Sequence, residues 1–178
     1  MRGRLGLPGE DCVNGPIRVF IVDAAGEYTR EDDSFRQRLC TLLGDTEGLT
    51  VVGETKEGQQ AIALIHEARP DVVLLDIGTQ HASNLQIVTQ ISELLPPTKV
   101  IVLHNEGQEQ LVLEAFRQGA LGHLVRGRIQ PAEVIEAIRA VGRGKVVLSP
   151  GVAGRMLDKV VQERRHKTEV REVHEQKA

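Results

Sequence analysis

The sequence predicts an α/β protein with a doubly wound, five-stranded parallel sheet. Short apolar runs rich in β-branched residues recur along the chain, and segments with helical periodicity separate them. The third run, residues 72–75, ends directly at the carboxylate of Asp76. Such a run is typical of a parallel strand that is buried on both faces. Because ligands of open α/β sheets bind beyond the carboxyl ends of the strands, Asp76 marks a candidate site.

The strands are predicted from apolar runs bounded by turn residues. The first begins after Pro16, the second follows Gly48, and the third follows Pro70. The fourth follows a pair of prolines, and the fifth is a short run after a glycine-containing turn. The predicted strands span residues 17–22, 49–55, 71–75, 99–103 and 122–125.

The helices are predicted from apolar residues three or four positions apart, which form one buried face. Pro96 and Pro97 end the third helix, Gly119 closes the fourth, and Pro131 suits the first turn of the fifth. Right-handed crossovers then give an open parallel sheet with helices on both faces, and the flavodoxin-like strand order 2-1-3-4-5 puts strands 1 and 3 at the switch point. The predicted helices span residues 34–43, 57–68, 85–95, 108–118 and 131–141.

Two extensions flank the predicted α/β domain, which we place at residues 17–146. Residues 1–16 are rich in glycine and polar residues and are expected to be a flexible arm. Residues 147–178 are expected to form a helix, which starts at Ser149-Pro150, and then a tail with charges of both signs. A solvated or frayed helix end and a coiled-coil or linker role both stay open for this tail.

Composition limits the possible functions. The chain has 178 residues, of which 40% are hydrophobic and 2% aromatic, and its formal net charge is -3. This charge gives no global reason to bind DNA or an anionic membrane, and so few aromatics argue against a base-stacking surface. No signal peptide or transmembrane segment is recognisable, so we expect a cytoplasmic protein. Cys12 and Cys40 have neither metal-like spacing nor a disulfide framework.

Four ionisable residues follow predicted strands. They are Asp23, Asp76, His104 and Arg126. Because the carboxyl ends of parallel strands meet at one edge of a sheet, these residues are expected to converge on one crevice around Asp76.

Four stretches of the chain carry a resemblance to a known family: residues 17–23, 51–54, 69–77 and 136–141. They resemble the receiver domain of bacterial response regulators, which has a CheY-like fold. The resemblance is greatest to receivers that precede a LuxR-type helix-turn-helix, and Leu148-Ser149-Pro150 matches the segment after such receivers. It implies a phosphoprotein of two-component phosphorelay signalling and transcription regulation, in which Asp76 accepts a phosphoryl group from a histidine kinase.

The pocket that the resemblance implies is incomplete. Asp23 keeps the first of two acidic positions after strand 1, but the second is Ala24. His104 stands where a Thr or Ser is usual, Arg126 replaces a Lys, and His123 replaces an aromatic residue. We therefore expect a degenerate phosphorylation pocket, in which the usual hydroxyl-to-aromatic switch cannot operate in its ordinary form.

Magnesium is expected to bind weakly or not at all. Asp23, Asp76 and a backbone carbonyl at Gly78 are the predicted ligands, since Mg²⁺ takes one or two carboxylates plus phosphate oxygens and water. Ala24 removes one carboxylate ligand. An acidic loop is either a source of a substitute ligand or simply solvated; its residues are Glu27, Glu31, Asp32 and Asp33.

The basic residues of the pocket allow alternatives. Arg126 can bind phosphate with two parallel hydrogen bonds, or it can pair with Asp76 permanently and act as an internal brake. His104 can donate to a phosphoryl oxygen. His104 and His123 can form a pH-sensitive pair, or they can be two partly exposed imidazoles.

Two functions are compatible with these residues. The first is an atypical receiver, not an enzyme beyond self-catalysed phosphoryl transfer to Asp76, with Arg126 and His104 assisting. The second is a pseudo-receiver that docks partners or dimerises without phosphorylation. Expected partners are a histidine kinase or another signalling protein and a second copy bound through helix 4, strand 5 and helix 5. DNA is a partner only if an effector domain is missing from this chain.

Overall fold

The computed structural model describes residues 15–23, 30–78, 81–158 and 162. Its five strands form one parallel sheet in the order β2-β1-β3-β4-β5, which confirms the predicted order. The strands are β1 (Ile17–Asp23), β2 (Leu49–Thr55), β3 (Val72–Asp76), β4 (Lys99–His104) and β5 (Gly122–Val125). The helices are α1 (Arg30–Gly44), α2 (Gly58–Ala68), α3 (His81–Leu94), α4 (Glu109–Arg117) and α5 (Pro131–Gly142).

Two helices begin four residues earlier than the sequence pattern predicts. Helix α1 begins at Arg30 and helix α3 at His81, because their first turns consist of polar or small residues that add nothing to an apolar face. A 3₁₀ turn at Arg126–Arg128, which the sequence did not predict, follows β5 directly.

The core lies in two layers, one on each face of the sheet. Alternate residues of β3 contribute to each layer, and every residue of this central strand is buried. Residues from α1 and α5 cover one face, while residues from α2, α3 and α4 cover the other. In this arrangement the carboxyl ends of β1, β3 and β4 lie side by side at one end of the sheet. This end, called here the shared edge, is where side chains of different strands meet.

The chain returns to the sheet after α5. Val147 forms a parallel bridge with Gly122 of β5, and a helical segment follows at residues 150–158, as Ser149-Pro150 predicted. The predicted arm, apart from residues 15 and 16, and nearly all of the charged tail lie outside the described residues. None of the helices described is long and apolar enough to cross a membrane.

Candidate functional site at the carboxyl ends of the strands

Two carboxylates lie side by side at the shared edge. Asp23 ends β1 and Asp76 ends β3, and the two residues are direct partners in the parallel register. Both side chains are buried, at 8% and 2% exposure. The backbone N–H of Gly78 donates to Oδ1 of Asp76 at 2.8 Å, so the turn after β3 fixes the orientation of this carboxylate.

Arg126 supplies the counter-charge. Its Nη1 lies 2.9 Å from Oδ2 of Asp76, and the Arg126 side chain is 15% exposed. The guanidinium carbon lies 4.7 Å from the ring centroid of Phe35 on α1, within the range of a cation–π contact. The structure thus places Arg126 against Asp76, one of the two arrangements left open by the sequence: Oδ1 of Asp76 accepts from Gly78, and Oδ2 faces the guanidinium.

Strand alternation explains why Asp23, Asp76 and Arg126 meet. Successive residues of a strand point to opposite faces of the sheet. Asp76 has the parity of Val72 and Leu74, which pack in the α1/α5 layer, whereas His104 has the parity of Val100 and Val102, which pack in the other layer. The structure thus joins three of the four predicted residues and orients the fourth towards a different set of contacts.

His104 belongs to a chain of hydrogen bonds that runs away from the carboxylates. Its Nδ1 lies 2.8 Å from the carbonyl oxygen of Asn105, and its Nε2 lies 3.0 Å from Nδ1 of His123. Nε2 of His123 accepts the backbone N–H of Ser149 at 3.0 Å. The structure therefore links the end of β4, the middle of β5 and the start of the C-terminal helix.

The two ends of this chain determine the tautomers of both rings. The Ser149 N–H can only donate and the Asn105 carbonyl can only accept. His123 must then accept at Nε2 and donate from Nδ1, and His104 must accept at Nε2 and donate from Nδ1. Both imidazoles are neutral in this arrangement, because an extra proton on either Nε2 would oppose a hydrogen already directed at it.

Burial favours the neutral form of both rings. His104 is 2% exposed and His123 is 5% exposed, so the alternative of two partly exposed imidazoles is wrong. Burial lowers the pKa of His104, against the opposing effects of the Asn105 carbonyl and Glu109. Burial, followed by the proximity of His104, lowers the pKa of His123 to about 4.

The described residues offer a modest donor set for a metal ion. Asp23, Asp76 and the carbonyl of Gly78 are oxygen donors of the kind that Mg²⁺ prefers, so their chemistry fits this ion. The part of the chain that the structure describes contains no group of three or more His, Cys, Asp or Glu residues placed to hold a metal. The proposed substitute ligands of the acidic loop lie where no side chain is described.

Comparison with known proteins places the chain in a family. A family model described as the response regulator receiver domain matches residues 29–139. The chain is 32% identical over 141 residues to the uncharacterized transcriptional regulatory protein YxjL of Bacillus subtilis, an alignment that covers 79% of this chain and 61% of that protein. It is 30% identical to the chemotaxis protein CheY of Thermotoga maritima, in an alignment that covers 71% of this chain and 98% of that protein.

Solved structures agree on the fold. A LuxR-family two-component response regulator from Aurantimonas sp. SI85-9A1 superposes with a TM-score of 0.68 at 23% identity, covering 83% of this chain and 99% of that one. At this identity the likeness concerns the fold. The chain spans between 61% and 66% of the length of the first four curated relatives, all of them response regulators or transcriptional regulators.

Proposed function

Because this chain belongs to the response regulator receiver family, we propose that Asp76 is the carboxylate that accepts a phosphoryl group in two-component signalling. The single observation that carries the proposal is the position of this carboxylate. Asp76 ends the central strand, lies next to a second buried carboxylate, and has a guanidinium at 2.9 Å. That combination holds an anion at the sheet edge with a cation ready to offset further negative charge.

In the proposed reaction an Asp76 oxygen attacks the phosphorus atom of a phosphohistidine or a small acyl phosphate. The new bond joins carboxylate oxygen to phosphorus, and the bond from phosphorus to the donor breaks, with its electron pair leaving on the donor. Arg126 offsets the charge that develops on the phosphoryl oxygens. A hydrogen bond from His104 to these oxygens stays a prediction, because its Nδ1–H is directed at the Asn105 carbonyl.

Asp23, Asp76 and the Gly78 carbonyl are the residues that would hold Mg²⁺. When bound, this ion supplies positive charge to the phosphoryl oxygens. The residues themselves orient the acceptor: the Gly78 N–H fixes Oδ1 of Asp76, and Arg126 must give way at Oδ2 or share it. We expect weak metal binding, because Ala24 supplies no carboxylate at the second acidic position.

The partners follow from the family. A sensor histidine kinase is the proposed phosphoryl donor, and DNA is a proposed partner only through an effector domain outside this chain. A homodimer through α4, β5 and α5 also stays a proposal. In this structure residues 147–156 lie on part of α4 and β5, so pairing there must accommodate or displace them. The cytoplasmic location and the division of the chain at residues 146 and 147 remain predictions from the sequence.

A second candidate function is a receiver that signals without phosphorylation. The observation that favours it is that both carboxylate oxygens of Asp76 already have contacts: Oδ1 accepts from the Gly78 N–H, and Oδ2 pairs with Arg126. The Arg126 guanidinium contacts both Asp76 and Phe35, and in this alternative it neutralises the Asp76 carboxylate permanently. In this alternative the domain docks partners through its helices, and its pocket is structural.

Intact mass after incubation with acetyl phosphate and Mg²⁺ distinguishes the two functions. The proposal expects a gain of one phosphoryl group in the parent chain and none in Asp76→Asn. Asp71→Asn is the matched control, because Asp71 directly precedes the same strand, at the end opposite Asp76, and accepts from the Arg18 N–H. No gain in a folded parent chain would refute the phosphoacceptor proposal and favour the second function.

A further inference from the structure

The C-terminal segment, defined here as residues 147–158, adds to the edge of the sheet. The Val147 N–H donates to the Leu121 carbonyl at 2.8 Å, and the His123 N–H donates to the Val147 carbonyl at 3.3 Å. These bonds cover the free edge of β5 beside Gly122, and such an edge otherwise presents unpaired backbone groups. The segment is therefore bound to the receiver by the same kind of contact that joins its strands.

The segment also packs on α4. Val152 is 2% exposed and forms a small apolar cluster with Val112 and Leu113 of α4, which are also buried. Leu148 and Met156 pack against this cluster from the same segment. An ion pair of 3.4 Å between Arg155 and Glu109 crosses the boundary. The apolar face of α4 is thus covered by the chain itself.

One buried polar contact joins the segment to the interior of the receiver. The Ser149 N–H donates to Nε2 of His123, and this nitrogen can accept only while the ring is neutral. The same condition applies one step further in, where Nε2 of His104 accepts from Nδ1 of His123. The imidazole rings of His123 and His104 therefore link Ser149 to the end of β4.

We propose that His104 and His123 form a proton-sensitive latch that holds the C-terminal segment on α4 and β5 while both rings are neutral and releases it when either ring is protonated. A proton on Nε2 of His123 would face the Ser149 N–H, and a proton on Nε2 of His104 would face the Nδ1–H of His123. Release exposes the apolar cluster on α4 and the edge of β5. None of the three hydrogen bonds of the latch includes Asp76.

Charged groups surround the latch from every element that packs against it. Glu106 precedes α4 and pairs with Arg128 of the 3₁₀ turn, and Glu109 of α4 pairs with Arg155 of the segment. These residues line, with both imidazoles and Ser149, a cavity of about 150 Å³. Each carboxylate has an arginine partner, so the negative and positive charges around the rings largely offset each other. They therefore stabilise a protonated ring only slightly.

The direction of the pH effect follows from burial. Burial lowers the pKa of both rings, that of His123 from 6.5 to about 4, so the docked state binds fewer protons than a state with exposed rings. Docking is therefore strongest well above pH 6.5 and weakens as the pH falls towards 4. For one ring, linkage predicts a docking equilibrium roughly tenfold weaker at pH 5.5 than at neutral pH.

Solution NMR tests the latch on the unmodified chain. At pH 7.5 the ¹⁵N shifts of both rings should show an unprotonated Nε2 and a protonated Nδ1. Amide exchange should show protection factors at Val147, Ser149 and Ala153 that fall by about tenfold between pH 7.5 and 5.5, while those of β3 stay constant. A protonated Nε2 at pH 7.5, or full protection of these three amides at pH 5.5, would overturn the proposal.

Two variants separate the latch from a general effect of acid. In His123→Phe the Ser149 N–H has no acceptor at any pH, so its protection should already be about tenfold lower at pH 7.5 and change little on acidification. His66→Gln is the matched control, since His66 is exposed on α2, and it should behave as the parent. An unchanged pH response in His123→Phe would overturn the latch. If this variant does not fold, the measurements on the parent chain decide alone.

Discussion

Replacement of Arg126 by Met is the sharpest test of how the carboxylate pair is stabilised. The substitution keeps an unbranched apolar stem of similar length but removes the positive charge from Oδ2 of Asp76. Asp76 is 3% exposed as a side chain, so its carboxylate would remain buried beside Asp23 without this cation. We therefore expect Arg126→Met to cause a large loss of stability, although Arg126 lies in the 3₁₀ turn after β5 and not in a core strand.

The magnitude follows from burial. Breaking a buried ion pair by removal of one partner costs about 3–5 kcal/mol, because the other charge stays behind. Arg126 is 15% exposed, which permits some screening by water and favours the lower end. Loss of the cation–π contact with Phe35 adds about 0.5–1 kcal/mol. We expect Arg126→Met to lower the free energy of unfolding by about 4 kcal/mol.

Arg128 provides a matched control two residues away. It lies in the same 3₁₀ turn and also pairs with a carboxylate, Glu106, but these side chains are 72% and 68% exposed. Arg128→Met should therefore change the free energy of unfolding by less than about 1 kcal/mol. Urea unfolding followed by far-UV circular dichroism, in the presence of a chelator, measures both variants without requiring tryptophan, which the chain lacks.

A double variant identifies the cause of the loss. Addition of Asp76→Asn to Arg126→Met removes the buried charge that the first substitution left unpaired, so about 2 kcal/mol should return. Equal costs for Arg126→Met and Arg128→Met, or no recovery in the double variant, would refute the view that Arg126 mainly neutralises Asp76.

Two further predictions concern the rest of the receiver. Burial, and then the hydrogen bond that its thiol donates to Glu54 at 2.9 Å, raise the pKa of Cys40 to about 12, so in a Cys12→Ser background this thiol should react with a disulfide reagent at pH 8 at least tenfold more slowly than in unfolded chain. Gly119→Ala should destabilise the fold by about 2 kcal/mol. Its φ is +109°, and a Cβ would lie 2.0 Å from the hydroxyl of Ser92, whereas Gly107→Ala at φ +85° meets nothing within 4 Å and should cost less in thermal unfolding.

The fold was predictable because its signals are local. The apolar runs of β2 and β5 lie between turn residues, and the structure has the predicted bounds for both strands. The order of the strands was predicted from the flavodoxin-like pattern of alternating strands and helices with right-handed crossovers. Helices α1 and α3 were predicted too short because their first turns contain polar or small residue types, which add nothing to an apolar pattern.

The candidate site was predictable only where strand ends determine it. Asp23, Asp76 and Arg126 meet because all three end or follow neighbouring strands on one face of the sheet. The opposite orientation of His104 was present in the sequence as the parity of its strand, but it becomes readable only once the register of β3 against β4 is known. The contact with Phe35 had no sequence signal, because it depends on how α1 packs.

The contact between Ser149 and His123 was also beyond the sequence. Ser149-Pro150 predicted where a helix starts, but the position of that helix on the sheet depends on the backbone bridge of Val147 to β5. Every residue except proline has a backbone N–H, so the residue types do not indicate which N–H binds an imidazole. Long-range polar contacts of this kind are the part of a site that sequence patterns miss most readily.

The absence of one carboxylate connects the two unusual features of the pocket. Asp23, Asp76 and Arg126 together carry one net negative charge, and Ala24 adds none. A divalent cation gains less Coulomb energy from such a pocket than from one with a third carboxylate, so we expect a lower metal affinity. A single guanidinium already lies against Asp76 in this pocket. We propose that weak magnesium binding and the ion pair between Arg126 and Asp76 both follow from the alanine at this position.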